Sequence, residues 1–359
     1  MKFIIISTPI GFIGSGKGGG VELTLLSLVK GLLAKKQKVV VIAPNHSYLM
    51  KDCQNANLIA VDGADQHSWQ HMPSNSKVIV SNEFVLTKMI RKAFEIGNNE
   101  DVILNMAYDW LPIWLTSYSK IKIFNLISMG GVSTEVVNLV SNLSLDFASR
   151  LAFHTQVQAN DYKLKSSPNI IGNGFDLELY KYNSINDGPI GWVGRIAPEK
   201  GLEDAAKVAF SLGENLMVWG VKEDVKYAKE IEDLFPSGLI QWKGFLKTKE
   251  LQKELGECRV LLNTPKWNEA YGNVVVEAMA CGVPVIAYKR GGPGELILHG
   301  ENGYLATPDN IQELVELTKQ INLISRKKCR LWAEENASID VFVGKVFSWI
   351  NSTVNLIDV

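Results

Sequence analysis

The sequence predicts two α/β domains, each a parallel sheet covered by helices. Three observations carry this. The apolar run 3–7 is followed by a glycine-rich loop at 11–20, an amphipathic helix and a second apolar run at 38–42. That order of strand, loop, helix and strand belongs to mononucleotide-binding halves. A second such start occurs at 189–212, where the apolar Pro189–Val193 leads through a loop into a helix. Finally, 359 residues suffice for two domains of ordinary size.

Composition narrows the class. Hydrophobic residues make up 46% and charged residues 21% of the chain, as in a soluble α/β protein. A formal net charge of −1 removes any general electrostatic case for nucleic acid or an anionic membrane. Cys53, Cys258, Cys281 and Cys329 show no C-x-x-C spacing, so free thiols in a reducing cytosol are expected. The apolar start Phe3–Ile6 is too short for a signal segment, and no window reaches the ~18–20 apolar residues of a membrane span. The expectation is a cytoplasmic protein without integral membrane association or a nucleic-acid partner.

In order, continuous apolar runs predict strands at 3–7, 38–42, 78–81, 102–105, 121–126, 152–155 and 170–174. The helix from about Val21 to Lys35 buries Leu25, Leu28, Val29 and Leu32 at helical spacing. Glu22 caps that helix or faces a cleft, and we read it as structural. Residues 45–76 read as polar and irregular, with His46, His67 and His71 as solvated loop histidines rather than metal ligands. Lys88, Arg91 and Lys92 form the solvated face of a helix over 84–96. Asn183–Gly188 is turn-rich and reads as the linker. In the second half, strands fall at 189–193, 217–220, 239–242 and 260–263, and helices at 202–212, 310–320 and 325–335. The last helix, from about Asp340 to Ser352, is amphipathic through Val341, Val346, Phe347 and Trp349.

The second half is organised around 267–292, WNEAYGNVVVEAMACGVPVIAYKRGG. It reads as loop, helix, tight turn, buried strand and loop. Gly272-Asn273 opens the helix, and Gly282 with Pro284 ends it. Glu269 and Glu277, with seven residues between them, span roughly 10 Å of backbone. A ligand with two hydroxyl-bearing rings joined by a pyrophosphate fits that span. The amides of Asn273 and Val274 would meet its anionic middle at a helix N-terminus. Arg195 and Lys200, ahead of the helix at 202, can converge on the same pyrophosphate, Arg bidentately and Lys as a point charge.

In the first half, Tyr108-Asp109-Trp110 lies just past a strand's carboxyl end, where ligands of doubly wound sheets collect. Two aromatic faces and a carboxylate suit a flat heterocycle carrying N–H donors. A core aromatic pair with a helix-capping Asp fits equally well. Gly18-Gly19-Gly20 matches a dinucleotide fingerprint only loosely, and no Asp follows the second strand.

EAYGNVVVEAMACGVPVIA resembles the E-x7-E signature of retaining glycosyltransferases of family 4, which have the two-domain GT-B architecture. IGWVGRIAPEKGLEDA at 190–205 resembles that family's phosphate-clamp segment, and GGGVELTLLSLVKGL at 18–32 its glycine-rich first loop and helix. The resemblance therefore covers both halves in the right order. STPIGFIGSGKGGGVELTL, NMAYDWLP, LISMGG, IGNGFDL and TPKWNEAYGN are most similar to the branch that glucosylates tetrahydrobiopterin.

The resemblance implies a fold of two facing Rossmann-like domains. Residues 1–183, completed by a crossover helix at 337–354, would bind the acceptor, and 189–335 the nucleotide sugar. It implies transfer of a hexose from UDP-glucose or a similar donor to a small heterocyclic acceptor, with retained anomeric configuration. Arg195, Lys200 and Glu269 would act at the reacting centre. Gly19, Gly20, Asn273, Val274 and Glu277 would hold the donor, with Phe245 and Leu246 at the base. Tyr108, Asp109, Trp110 and Met129 would hold the acceptor. Much of the family has a histidine near Met129; this chain has none. Asn173-Gly174-x-Asp176 resembles the family's hinge, where Gly174 permits a left-handed turn. No D-x-D motif is present, so no essential metal or cofactor is expected. A sugar or lipid acceptor, a UDP-sugar 2-epimerase of the same architecture, and a non-catalytic nucleotide-sugar sensor remain open alternatives.

Overall fold

The computed structural model describes residues 1–16 and 18–357; Lys17, inside the glycine-rich stretch, lies outside them. The chain divides into two units, Met1–Phe175 with the chain from Ile339 onward, and Asp176–Ser338.

Among the described residues the first unit holds seven strands: β1 (Lys2–Ile6), β2 (Lys38–Pro44), β3 (Asn57–Val61), β4 (Val102–Asn105), β5 (Lys122–Ile127), β6 (Leu151–Phe153) and β7 (Asn169–Ile170). They pair in the order β3-β2-β1-β4-β5-β6-β7, every pair parallel. Its helices are α1 (Gly19–Ala34), α2 (Val85–Ile96), α3 (Trp110–Leu115), α4 (Thr134–Asp146) and α5 (Gln156–Asn160). Strand periodicity sorts β1 between two cores. Phe3 and Ile5 join Leu25, Leu28 and Leu32 of α1, whereas Ile4 and Ile6 join Leu86, Met89 and Ile90 of α2.

Three expectations are corrected here. The strand expected at 78–81 does not form: Ile79 and Val80 are 69% and 51% exposed, an apolar run with no strand beside it. The strand that does form is β3, inside the stretch read as irregular. As an edge strand paired only to β2, it leaves Asn57 and Ala60 exposed and lacks the apolar continuity of its neighbours. The left-handed residue near 174 is Gly172, at φ 69°. Gly174 answers to a different constraint, since a Cβ there would lie 2.6 Å from Phe342 Cδ1.

The second unit holds β8 (Ile190–Val193), β9 (Leu216–Trp219), β10 (Ile240–Gly244), β11 (Val260–Asn263), β12 (Val285–Tyr288) and β13 (Gly303–Ala306). Their order is β10-β9-β8-β11-β12-β13, again all parallel. Its helices are α6 (Leu202–Leu212), α7 (Val225–Leu234), α8 (Thr248–Gly256), α9 (Asn273–Ala280), α10 (Pro293–Leu296), α11 (Ile311–Lys319) and α12 (Arg326–Ala337). Asp224, Asn310 and Ser325 cap α7, α11 and α12 through their side chains.

Residues 176–183 group with this second unit, so the division falls earlier than the linker expected at 183–188. Hydrogen bonds explain why. Lys181 N donates to Gln252 Oε1 (3.0 Å) and Asn183 N to Cys281 O (3.0 Å). Arg330 donates to both Tyr180 O and Ala280 O at 2.7 Å, and Arg326 to Asn183 O, Gly256 O and Cys258 O. The segment is a strap tied to α8 and α9 by two arginines of α12.

The last helix, α13 (Ile339–Ile357), packs on α1 in the first unit. Phe342, Val343, Val346, Trp349 and Ile350 complete the core that contains Phe3 and Leu28. Trp349 sets its ring edge-on to Phe124 at 5.3 Å, and its Nε1 donates to Ser149 O (2.8 Å). Among the described residues no helix is long and apolar enough to cross a membrane.

Gly31 lies where α1 meets α13, and a Cβ there would overlap Val343 Cγ2 and lie 2.7 Å from Ile339 Cγ2. Helix propensity alone favours Ala over Gly by about 1 kcal/mol; overpacking costs about 1–3 kcal/mol. Gly31→Ala is therefore expected to lose stability in a urea titration. A gain would show that α13 gives way at no cost.

Candidate functional site

In the second unit the carboxyl ends of β8, β11 and β12 feed three loops that lock together. The first runs from Gly194 to Gly201 and ends in one 3-10 turn over Pro198–Lys200. Gly201 then takes φ 64°, with its backbone so close to Thr264 that a Cβ would overlap Thr264 O. Thr264 Oγ1 donates to Gly201 O (2.7 Å), and Lys266 N to Glu199 O (2.8 Å). The third loop presses Gly291 and Gly292 onto the backbone of Glu269 and Tyr271, with Gly292 N donating to Glu269 O (2.7 Å).

These ties deliver Lys200 to Glu269, and the ammonium and carboxylate form an ion pair. Their side chains are 21% and 9% exposed. Lys200 Nζ also sits 5.3 Å from the centre of the Trp267 ring, a cation–π contact. The Trp267 Nε1 of that ring is buried without a hydrogen-bond partner, as is Asn263 Oδ1 at the end of β11. Arg195 is held elsewhere on the same loop. It meets Glu223 through two hydrogen bonds of 2.7 Å and Glu199 at 2.9 Å. Arg195 and Lys200 are therefore each paired with carboxylates, Arg195 with Glu223 and Glu199 and Lys200 with Glu269.

Gly272, at φ 100°, turns the chain into α9, whose first two residues are Asn273 and Val274. Glu277 follows one turn later and is buried. Its Oε1 accepts from the Tyr180 hydroxyl at 3.0 Å. Burial raises the Glu277 carboxyl and the bond from Tyr180 offsets part of the rise, leaving it at about 7. Phe245 and Leu246 follow β10, with Phe245 60% exposed.

In the first unit the glycine loop folds back onto α1. Glu22 Oε1 accepts from Gly14 N at 2.8 Å, and burial raises its carboxyl above the usual range. Gly19 takes φ 54° as α1 begins, followed by Gly20. Beyond β4, Asp109 is the N-cap of α3: its Oδ1 accepts from Leu111 N (3.0 Å) and its Oδ2 from Trp69 Nε1 (3.2 Å). Tyr108 packs in a core with Trp69, Ile113 and Phe153, and burial pushes its phenol up to about 12. Trp110 stacks on Trp114 at 5.4 Å. Met129 O accepts from Gln158 Nε2 (2.9 Å) and Tyr162 Oη (2.7 Å). Asp109 thus caps α3, and Tyr108 is part of the core.

Several site neighbours escaped the sequence reading: Tyr180, Glu223, Trp267 and Arg330. Trp267 opens the stretch 267–292 but has no assigned role there, and Glu223 lies far from every motif residue in sequence. Tyr180 and Arg330 carried none, because their roles depend on how the strap packs.

The Lys200–Glu269 pair sets a test. Removing one partner of a fully buried pair costs about 3–5 kcal/mol, and the partial exposure of Lys200 reduces this to about 2–3 kcal/mol. Lys200→Met should show that loss in chemical denaturation, and the double variant Lys200→Met/Glu269→Gln should recover more than half of it. Additive losses would show that the pair is not coupled.

Comparison with known proteins adds the following. Residues 186–338 match the model of the family described as glycosyl transferases group 1. An uncharacterized glycosyltransferase of Methanocaldococcus jannaschii is 33% identical over 193 residues, 53% of this chain and 52% of that protein. A sucrose synthase of Acidithiobacillus caldus is 29% identical over 133 residues, 36% of this chain and 17% of that protein. The chain thus spans about half, or less, of the length of these curated relatives. Among solved structures, Anabaena HepE in complex with UDP and glucose superposes with a TM-score of 0.73 at 20% identity, covering 98% of this chain and 100% of that one. Sucrose-phosphate synthase from Thermosynechococcus elongatus gives 0.76 at 16% identity, with 98% and 100% covered. The fold is therefore that of GT-B glycosyltransferases, and the second unit carries the glycosyl transferases group 1 pattern.

Proposed function

We propose that the chain transfers a hexose from a UDP-sugar to a small soluble acceptor. One observation carries the reading. The stretch matched by the glycosyl transferases group 1 model contains Lys200, Glu269, the start of α9 and Glu277, the first two of them joined in an ion pair. Solved structures of the same fold hold UDP, UDP-glucose, or UDP with glucose.

In this reading the bond between the anomeric carbon and the phosphate oxygen breaks as one forms to an acceptor oxygen, and the acceptor's proton leaves with UDP. The cost lies in the charge left on the departing diphosphate. Arg195, Lys200 and the amides of Asn273 and Val274 would meet that charge. An arriving phosphate would compete with Glu223 and Glu199 for Arg195, and with Glu269 for Lys200. Glu269, once shared, would be available to a hydroxyl of the transferred sugar. Glu277 would accept from the ribose, with Phe245 and Leu246 beside the base and Gly19 and Gly20 lining the donor's sugar end. Retention of configuration, by a same-face route assisted by the leaving phosphate, belongs to the same proposal. Cationic side chains take the charge in this scheme, so turnover is expected to persist in EDTA.

For the acceptor we propose a reduced pterin, with the aromatic faces of Tyr108 and Trp110 and the stretch around Met129 as its surroundings. The support is the likeness of the five sequence stretches to the pterin branch. Asp109 and Tyr108 contribute less to it, Asp109 being already engaged by Leu111 and Trp69 and Tyr108 being only 8% exposed. A second reading, a sugar acceptor, is favoured by the sucrose synthase relatives.

UDP release from UDP-glucose should rise on adding tetrahydrobiopterin, with a product one hexose heavier by mass. Stimulation by fructose or a sugar phosphate instead would select the second reading; hydrolysis indifferent to any acceptor would overturn both. Arg195→Ala and Lys200→Ala should each lower kcat/KM by roughly 30- to 1000-fold, about 2–4 kcal/mol of transition-state stabilisation. Near-normal rates in both would remove them from the phosphate.

A further inference from the structure

The Tyr180–Glu277 contact joins two elements with different anchors. Glu277 belongs to α9, deep in the second unit. Tyr180 belongs to the strap that follows Phe175 and is 3% exposed. Its carbonyl is held by Arg330 (2.7 Å), and the residue after it donates to Gln252 Oε1 (3.0 Å). Tyr180 N donates to Leu177 O (3.2 Å), so the main chain that aims the hydroxyl is held on both sides of the residue. The hydroxyl reaches Glu277 Oε1 at 3.0 Å.

The other titratable groups around this contact come from three elements. Asp176 lies on the strap and Cys281 directly follows α9; both face Tyr180, and Cys281 also faces Glu277. Arg326 and Arg330 approach from α12. Both arginines are committed to main-chain carbonyls, Arg330 to Tyr180 O and Ala280 O, Arg326 to Asn183 O, Cys258 O and Gly256 O.

We propose that Tyr180 is a positioning residue for the nucleotide, holding Oε1 so that Glu277 meets a ribose diol with its charge and aim already set. The proposal rests on the reading of Glu277 as the ribose ligand. A vicinal diol offers two donors, and an ionised carboxylate accepts from both. A protonated carboxyl presents its own hydrogen and loses acceptor capacity, so affinity follows the ionised fraction. Burial holds that carboxyl up near neutrality, at about 7, and Tyr180 lowers it by donating to the charged form. Removing the hydroxyl while keeping the ring lets the carboxyl rise further. The sign follows: at neutral pH a larger fraction is protonated and nucleotide binding weakens, and the loss is recovered as pH rises.

The test is calorimetric titration of wild type, Tyr180→Phe and Glu277→Gln with UDP and with 2′-deoxy-UDP, from about pH 5.5 to about pH 9. Wild-type affinity for UDP should fall as pH drops below about 7. In Tyr180→Phe the dissociation constant at neutral pH should rise roughly three- to tenfold, with the inflection moved up by about one pH unit. The gap between wild type and Tyr180→Phe should close at the alkaline end and shrink for 2′-deoxy-UDP. Glu277→Gln should bind UDP weakly with no inflection. A Tyr180→Phe profile superposable on wild type, or one weaker by the same factor at every pH, would overturn the positioning role while leaving Glu277 on the ribose. Unchanged UDP affinity in Glu277→Gln would instead overturn the ribose reading itself. Thermal melts of the three proteins should coincide; a lower melting temperature in Tyr180→Phe together with a pH-independent loss of affinity would count against the positioning role.

Discussion

A carboxylate taken out of water must find a donor, and two of the buried ones in the second unit, Glu269 and Glu277, are each less than a tenth exposed. Much of the local backbone serves that need. The left-handed Gly201 lets the turn carrying Lys200 lie against Thr264, and the close approach at Gly291 and Gly292 fixes the main chain of Glu269. On the other side, two arginines of α12 fix the strap whose tyrosine reaches Glu277. Neither acid depends on a mobile surface side chain. Each is met by a group whose own backbone is anchored, which is the arrangement that keeps binding groups in place before a ligand arrives.

Beneath these loops a second polar knot ties sheet to helix. Asp204, only 2% exposed at the start of α6, accepts from Lys266 and from the Tyr288 hydroxyl (2.7 Å). Lys266 also meets Asp309, whose carboxyl is held down to about 2 by Arg290 and Lys266. The loop of Trp267 and Glu269 is thus braced from below as well as from its flanks. A phosphate drawing Lys200 away from Glu269 would act on a loop that keeps these other ties.

The sequence was most informative where one rule decided the outcome. Continuous apolar runs such as 3–6 and 285–288 mark strands covered on both faces, and Gly272 and Gly282 bracket α9 as helix punctuation should. It misled where pairing decided. Val78-Ile79-Val80 is apolar enough for a strand and finds no neighbour, whereas Asn57–Val61 is mixed in character and gains its strand from β2. The site shows the same division. Arg195, Lys200, Glu269 and Glu277 stand out as motif residues, but their partners are set by tertiary packing. Glu269 meets a lysine 69 positions earlier, and Glu277 a tyrosine 97 positions earlier. Asp109 carried two meanings in sequence, ligand and helix cap, and only the fold could show Leu111 and Trp69 occupying its oxygens.

The two units differ in how they can be made. Residues 176–338 form one uninterrupted stretch, so their whole core is available as soon as that stretch has left the ribosome. The first unit begins earlier and finishes later. Its sheet is fully synthesised by Ile170, yet the core around Phe3, Leu28 and Phe124 needs Phe342, Val346 and Trp349 to close it. During translation that apolar surface waits while the entire second unit is produced. The N-terminal half is therefore the one exposed to aggregation and to chaperone capture, and truncations before α13 should burden it rather than the contiguous second unit.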